Sequence, residues 1–345
     1  VRRQRQMCIR DRYMTEARSI GTADDSVGPY LDPGLLVNVA REAGCDCVHP
    51  GYGFLSENAG FASLCADAGI DFIGPSPEVL ALFGDKTQAR RLAASLDIPT
   101  VPGSDTPLQS AQEADQRASE IGYPVMLKAA AGGGGRGMRR VDSPEQIQEA
   151  FERCSSEAAT AFGDGSVFLE KLIERPRHIE VQILADRHGG VVHLHERDCS
   201  VQQRNQKVIE IAPAPGLDAR VRQQILDSAL RLASEVSYAN AGTVEFLVRP
   251  ETGDYFFIEC NPRIQVEHTV TEQVTGVDLV ESQFAIAAGA TLESLGLADQ
   301  HAIGPPRGYS IQTRVVAQST GKIHAYKEPS GAGIRVDACG YVGYE

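Results

Sequence analysis

The chain has 345 residues, 42% of them hydrophobic and 23% charged, with a formal charge of −13. That length can bury a large core and suits two or three domains. No apolar run approaches the ~20 residues that span a bilayer, no signal peptide is visible, and the acidic balance opposes a general nucleic-acid surface; the sequence predicts neither a membrane nor a nucleic-acid partner.

Residues 1–12, VRRQRQMCIRDR, hold five Arg and one Asp, a local +4 that leaves −17 on the remainder. They lack apolar periodicity, and residues 1–13 read as a disordered or non-native leader, a basic tail with a partner being the rival reading. Leu35, Leu36, Val39 and Ala40 form a helical stripe, and Asp46–His49 reads as a strand. Phe61, Leu64, Cys65 and Ala68 form the next helix, and Asp71–Gly74 the next strand. Helices between strands predict a parallel sheet. Such a domain usually opens with a strand, which is expected before the first helix. The eight Cys lack zinc-ligand spacing and predict reduced thiols in the cytoplasm, with Cys45 and Cys47 in the core.

Residues 85–100 read as a helical linker ending at Pro99, followed by a compact α+β segment to about 175. Tyr123–Lys128 is a strand that leads into Ala129-Ala-Ala-Gly-Gly-Gly-Gly-Arg-Gly137, and Met138–Val141 is a second strand. Gly132, Gly134 and Gly137 satisfy GxGxxG, but the next helix starts only at Ser143-Pro144-Glu145, which makes the dinucleotide match weak, and Lys128 precedes the glycines, unlike the lysine of a Walker A loop. Strand, glycines and strand describe a flap that can lay backbone N–H groups over phosphates, with Lys128 as a point charge. A mobile hairpin tip is the competing reading. Phe168–Ile173 is a strand entering a crossover between lobes. One helix runs from about Asp218, with Val221, Ile225, Ala229 and Leu232 on one face. Another runs from about Asp278 to Gly289, and a short β-rich stretch follows from about Tyr309.

The densest chemistry lies near residue 250. Gly242–Val248 and Tyr255–Glu259 read as a hairpin about Pro250–Asp254, which sets Glu245 opposite Glu259. Glu259, Asn261, Arg263, Gln265 and Glu267 fall on alternate residues, one face of an extended chain. Two carboxylates at that range repel by roughly 3–4 kcal/mol at an effective dielectric of about 20. A cation between them relieves this, so the pattern predicts a divalent-metal site.

Together these pieces resemble the biotin carboxylase family of the ATP-grasp superfamily. The likeness is carried by His49-Pro-Gly-Tyr-Gly-Phe-Leu-Ser-Glu-Asn58, Gly84-Asp-Lys86, Lys128 with the glycine loop, and Glu170-Lys171. It continues in Arg177-His178-Ile-Glu180-Val-Gln182, Glu196-Arg-Asp-Cys-Ser200, Gln206-Lys207, Ala212-Pro-Ala-Pro215 and Asn261-Pro-Arg-Ile-Gln-Val-Glu-His268. The resemblance implies an α+β chain: an α/β remnant over 14–88, a two-lobed ATP-grasp domain over 89–300 and the start of a β-rich C-terminal domain over 301–345.

The activity it implies is an ATP-dependent carbon–nitrogen ligase that carboxylates biotin with bicarbonate. Lys86, Lys128, Gly134, Gly135, His178, Gln202 and Asn205 would contact ATP, with Glu170, Lys171 and Ile173 at the adenine. Glu245, Glu259 and Asn261 would bind Mg²⁺ or Mn²⁺. Lys207, Arg263, Gln265 and Val266 would hold bicarbonate, Glu267 would act as base, Arg314 would stabilise the biotin enolate, and Tyr52 and Gly53 would border the biotin ring. No biotin-accepting Met-Lys-Met segment occurs. The implied partners are therefore a biotin carrier, a carboxyltransferase and a second copy of the chain. Asn205 stands where the family commonly has His, Ala131 replaces a glycine, and the stretch after Arg314 lacks the usual acidic-proline segment. Alternatives are another ATP-grasp ligase, such as one making carbamoyl phosphate, and a fragment that only binds nucleotide.

Overall fold

Polar caps and apolar spacing set the first elements of the computed structural model, which describes residues 16–21, 25, 27–104, 106–129, 137–204, 206–338 and 340–344. α1 (Pro33–Glu42) starts where the Asp32 carboxylate accepts from Leu35 N, and α2 (Ala59–Asp67) where Asn58 accepts from Phe61 N. Between and after them lie β1 (Cys47–Val48) and β2 (Asp71–Phe72), which pair in parallel as expected. Val37, Ala40, Phe61, Cys65, Phe72 and Leu80 pack there as one core. The Cys45/Cys47 expectation needs correction: Cys45 is exposed and Cys47 only half-buried, because Cys45 lies in the turn just before so short a strand.

α3 (Pro77–Gly84) and α4 (Lys86–Ser95) meet at Asp85, whose side chain accepts from Thr87 N and Gln88 N. The small lobe follows: α5 (Ala111–Ile121), β3 (Val125–Ala129), β4 (Met138–Val141), α6 (Pro144–Phe162) and β5 (Val167–Lys171). Its sheet has the order β4-β3-β5, all antiparallel. Strand, loop, strand is thus the arrangement around the glycines. Gly137 closes it at φ +70°, where a Cβ would stand 2.7 Å from that of Ala129. The loop itself, including Gly134 and Gly135, lies outside the described residues, as do the leader and Asn205.

The chain then crosses to β6 (Arg177–Ala185), β7 (Val191–Gln203), β8 (Gln206–Ala212), α7 (Ala219–Glu235), β9 (Asn240–Val248), β10 (Tyr255–Asn261), α8 (His268–Thr275), α9 (Leu279–Ala287), α10 (Gln300–Ile303) and β11 (Ser310–Thr313). These strands form one antiparallel sheet, β10-β9-β6-β7-β8-β11. Alternation decides its faces. Ile179, Val181 and Ile183 of β6, with Val244, Phe246 and Val248 of β9, pack into the core with Val221, Ile225, Ala229 and Leu232 of α7. The intervening residues, His178, Glu180 and Gln182 on β6 and Thr243 and Glu245 on β9, point to the other face.

Residues Tyr30–Thr313 form one compact unit; those before Tyr30 and after Thr313 form another. In the second unit Ile323 N donates to Tyr344 O at 2.8 Å and Gly343 N to Ile323 O at 2.8 Å. The β-rich expectation from Tyr309 is met by β11 alone, since among the described residues after Thr313 none is helix or strand. No helix among the described residues is long and apolar enough to cross a membrane.

Candidate active site

Glu259 lies opposite Glu245 in the β9–β10 register, as the hairpin reading predicts, and directly opposed residues share a face. The route differs from the expectation. Phe257 pairs with Phe246, so an unbroken ladder would place Ile258 against Glu245. A bulge between Phe257 and Glu259 shifts the register by one and restores the acidic pair. On the other side of β9, Glu180 of β6 is also opposite Glu245, and Arg197 of β7 is opposite Glu180. One row thus crosses four strands.

Lys207, on β8, gathers the acids of this face. Its Nζ contacts Glu180, lies 2.7 Å from Glu245 Oε1 and 2.8 Å from Glu267 Oε1. Burial works against the ammonium, but the three carboxylates outweigh it and raise its pKa well above the ordinary lysine value. Glu245 also meets His178 Nε2 at 2.7 Å through Oε2, and accepts from Asn261 Nδ2 at 2.9 Å and Gln265 Nε2 at 3.0 Å through Oε1. Burial opposes its charge; Lys207 and His178 reverse that and hold its pKa well below the usual carboxylate range. His178 is raised in turn, because Glu245 overcomes the cost of burying the imidazolium. Gln202 Nε2 lies 3.0 Å from the other ring nitrogen of His178.

Arg197 is fully buried beneath this cluster. Its guanidinium donates to Glu180 Oε1 at 2.5 Å, Gln182 Oε1 at 2.8 Å, Thr271 Oγ1 at 2.9 Å, and Thr243 Oγ1 and Gln265 Oε1 at 3.2 Å. Glu180 and Arg197 stand in motifs of the sequence but had no role assigned. For Glu180 the signal is the alternation of His178, Glu180 and Gln182 with the apolar Ile179, Val181 and Ile183 of β6; Arg197, on β7, has none.

The expectation of one extended face from Glu259 to Glu267 holds only through Asn261, where β10 ends. Gln265 and Glu267 still converge on Glu245 and Lys207, from the loop and the start of α8. Arg263 turns outward instead. Its Nε donates to Glu57 Oε1 at 2.6 Å and Nη2 to Asn261 Oδ1 at 3.1 Å. Val266 lies in the turn before α8. The pair Arg263–Glu57 ties the site to the loop of Tyr52 and Gly53, where Tyr52 is exposed. His49 Nε2 faces Gln283 Oε1 at 3.1 Å and Nδ1 accepts from Gly51 N at 3.1 Å, a structural role. His268 Nδ1 likewise lies 2.7 Å from Gln265 O.

The small-lobe residues gather about Glu170 of β5, whose carboxylate contacts Lys128 of β3 and, at 2.5 Å, Arg90 of α4. Burial raises its pKa, but Lys128 and Arg90 leave it lowered overall. Lys171 Nζ donates to Gly122 O at 2.8 Å and Tyr123 O at 3.1 Å, and Ile173 is buried. Lys86, at the start of α4, lies 3.6 Å from Glu259 Oε2. Arg314 follows β11 and belongs to the other compact unit.

The acidic and amide donors Glu245, Glu259 and Asn261 offer oxygen, the ligand set of a hard divalent cation such as Mg²⁺ or Mn²⁺. Two further groups place candidate ligand atoms within 4.8 Å of one another: His178–Glu180–Glu245 and Glu180–Cys199–Glu267. In both, Lys207 or Arg197 already supplies positive charge. Lys207 also lies on Glu245 and Lys86 lies 3.6 Å from Glu259, so the Glu245–Glu259–Asn261 set is favoured by its oxygen donors and not by its charge.

Comparison with known proteins agrees with this geometry. Residues 3–80 match the biotin carboxylase N-terminal domain, and residues 85–295 match the carbamoyl-phosphate synthase L chain ATP-binding domain. The pyruvate carboxylase of Schizosaccharomyces pombe is 51% identical over 92% of this chain. The chain spans 27% of that relative's length. The biotin carboxylase–β-γ-ATP complex of Campylobacter jejuni superposes with a TM-score of 0.91 at 43% identity, covering 97% of this chain and 75% of the other. The biotin carboxylase domain dimer of Hydrogenobacter thermophilus 2-oxoglutarate carboxylase, solved with MgADP, ADP and bicarbonate, gives 0.90 at 46% identity, covering 97% and 74%. The chain belongs to the biotin carboxylase family and carries its ATP-grasp domain.

Proposed function

We propose that the chain performs the ATP- and bicarbonate-dependent carboxylation of biotin, the first half-reaction of a biotin-dependent carboxylase. The carrying observation is Lys207, held by Glu180, Glu245 and Glu267 at the foot of the Glu245–Glu259 pair, with Gln265 on the same carboxylate. A fixed cation and an amide beside carboxylate oxygens support this reading, because a small anion and a divalent ion would need such groups.

On this reading each residue has a task. Lys128, Lys86 and His178 neutralise the phosphates of ATP, while Glu170, Lys171 and Ile173 form the adenine pocket. Glu245, Glu259 and Asn261 hold Mg²⁺ or Mn²⁺, which would screen phosphate charge during transfer. Lys207, Arg263, Gln265 and Val266 hold bicarbonate. Glu267 removes its proton, so that the bicarbonate oxygen attacks the γ-phosphorus, ADP leaves and carboxyphosphate forms. Carboxyphosphate then breaks to CO₂ and phosphate beside biotin N1′; the phosphate accepts the N1′ proton, and the nitrogen attacks the CO₂ carbon to form carboxybiotin. Arg263 stabilises the developing negative charge, a task that suits a planar guanidinium.

The biotin would arrive on a carrier domain and leave for a carboxyltransferase, both in the longer protein that the relatives' lengths imply. Because curated relatives are pyruvate carboxylases, pyruvate is the favoured final acceptor. Six described cysteines are free thiols, which favours a reducing compartment such as the cytoplasm. The deciding assay is Mg-dependent ATP cleavage with free biotin. Bicarbonate-dependent, biotin-stimulated turnover is expected; ammonia-dependent turnover without biotin would replace this reading with a carbamoyl-phosphate ligase.

A further inference from the structure

Each oxygen of Glu170 is committed to a different cation. Oε1 takes Arg90 Nη1 at 2.5 Å, and Oε2 takes the Lys128 ammonium. The second amino group of Arg90 donates to Val101 O at 2.8 Å, so this side chain is anchored twice. Lys128 has the looser position: 32% of its side chain is exposed, against 19% for Arg90 and 16% for Glu170. Three side chains from α4, β3 and β5 therefore carry two positive charges and one negative.

That surplus has a consequence for release. A mostly buried carboxylate deprived of its cation is strongly destabilising. If Lys128 were the only partner of Glu170, drawing the ammonium toward a phosphate would strand that anion. Arg90 removes the obstacle, because its planar fork stays on Glu170 and Val101 while the flexible lysine moves. We propose that Arg90 is a positioning residue for the nucleotide, compensating Glu170 so that Lys128 is free to bind the phosphates of ATP. The inference rests on the assignment of Lys128 to ATP made above.

The test is a double-mutant cycle in the intact chain. Calorimetry with ATP and with adenosine, and the kinetics of ATP cleavage, are compared for wild type, R90M, R90K, E170Q and R90M/E170Q. R90M is expected to raise Kd and KM for ATP by about tenfold with kcat within about twofold, and to leave adenosine binding and the KM for bicarbonate unchanged. In the E170Q background, where no carboxylate holds the ammonium, adding R90M is expected to weaken ATP by less than about threefold. R90K, which keeps the charge, recovers most of the loss.

An equal R90M penalty in both backgrounds, or an equal penalty on adenosine and ATP, would reduce Arg90 to a structural support and overturn the proposal. Should R90M not fold, R90Q removes the charge while keeping donors for Glu170 and Val101, and carries the same comparison. Wild type that binds no ATP would overturn the nucleotide assignment itself. ATP binding in wild type with R90M unchanged overturns only the role of Arg90.

Discussion

On the large sheet, Glu180, Glu245 and Glu267 share Lys207, Arg197 and His178; in the small lobe, Glu170 alone faces Arg90 and Lys128. The first cluster holds three acids against two permanent cations and a histidine, with Glu259 on the same face. The second holds two cations against one acid. One end is built to accept a cation and the other an anion. On the reading proposed above, a metal-bound nucleoside triphosphate would present the metal to the first cluster and phosphate oxygens to the second. They differ in rigidity as well. The sheet cluster hangs from a row that crosses four strands and rests on a fully buried guanidinium, whereas the small-lobe cluster joins a helix to two strands.

The largest expected effect tests that rigidity. Arg197→Met leaves Glu180, Gln182 and Gln265 without their buried donor. Breaking a buried charged network from one side costs about 3–5 kcal/mol. Urea unfolding should show that loss, and Glu180→Gln added to R197M should recover part of it by removing the stranded charge. A loss under about 1 kcal/mol would mean the sheet end does not depend on its buried cation, and the contrast in rigidity would fail.

The second test separates the roles of the two ends. Asn261 orients Glu245 and also accepts from Arg263. Its replacement by Ala removes a proposed ligand oxygen together with the hydrogen bond that orients Glu245, and should weaken apparent Mg²⁺ affinity by at least about 10–100-fold, the loss that a missing supporting hydrogen bond alone commonly brings. Lys128→Met should instead raise the KM for ATP at saturating Mg²⁺. Titrating each variant with Mg²⁺ and with ATP distinguishes them; the same response in both would dissolve the division of labour.

Acid provides the third test. Glu170 and Glu245 both have folded-state pKa values below the ordinary carboxylate value. A lowered carboxylate adds stability that is present above its unfolded pKa and lost as pH falls through the folded one, at no more than about 1.4 kcal/mol per pH unit per group. On a falling pH series below about 4.3, both ends should lose that stability. Hydrogen exchange should therefore accelerate in β3–β5 and in β6 and β9. Unchanged exchange at either end would contradict a charged carboxylate there.

The sequence made the local features of both ends readable and left their long-range closure hidden. Asp218 and Asp278 announce α7 and α9, and each caps its helix in the structure, because a cap is set by residues a few positions apart. The Glu245–Glu259 pair was also legible, although its register depends on a bulge at Ile258 that no alternation reveals. Arg90 and Glu170 are 80 residues apart, and Arg197 reaches Gln265 across 68. Such contacts arise from sheet order and lobe crossing rather than from periodicity, and this is why Arg90 and Arg197 carried no visible signal. Gln265 and Glu267 were selected by a strand pattern, yet they reach the site from a loop and a helix start. They converge on Glu245 and Lys207, but through a conformation that the strand pattern does not give.

The smallest effect concerns the outer rim, where Arg263 leaves the buried cluster to meet Glu57 at 2.6 Å. Glu57 is 41% exposed, so water screens the pair and Glu57→Gln should change unfolding stability by less than about 1 kcal/mol. Its functional effect should be more visible. Gln keeps an acceptor for Arg263 Nε but removes the charge that draws the guanidinium outward, so Arg263 becomes more available to an anion. The KM for bicarbonate should stay level or fall, while the KM for ATP is unchanged. A rise in bicarbonate KM would mean that Glu57 holds Arg263 in its working position, making this surface pair part of the anion site and extending the rigid sheet end out to the Tyr52 loop.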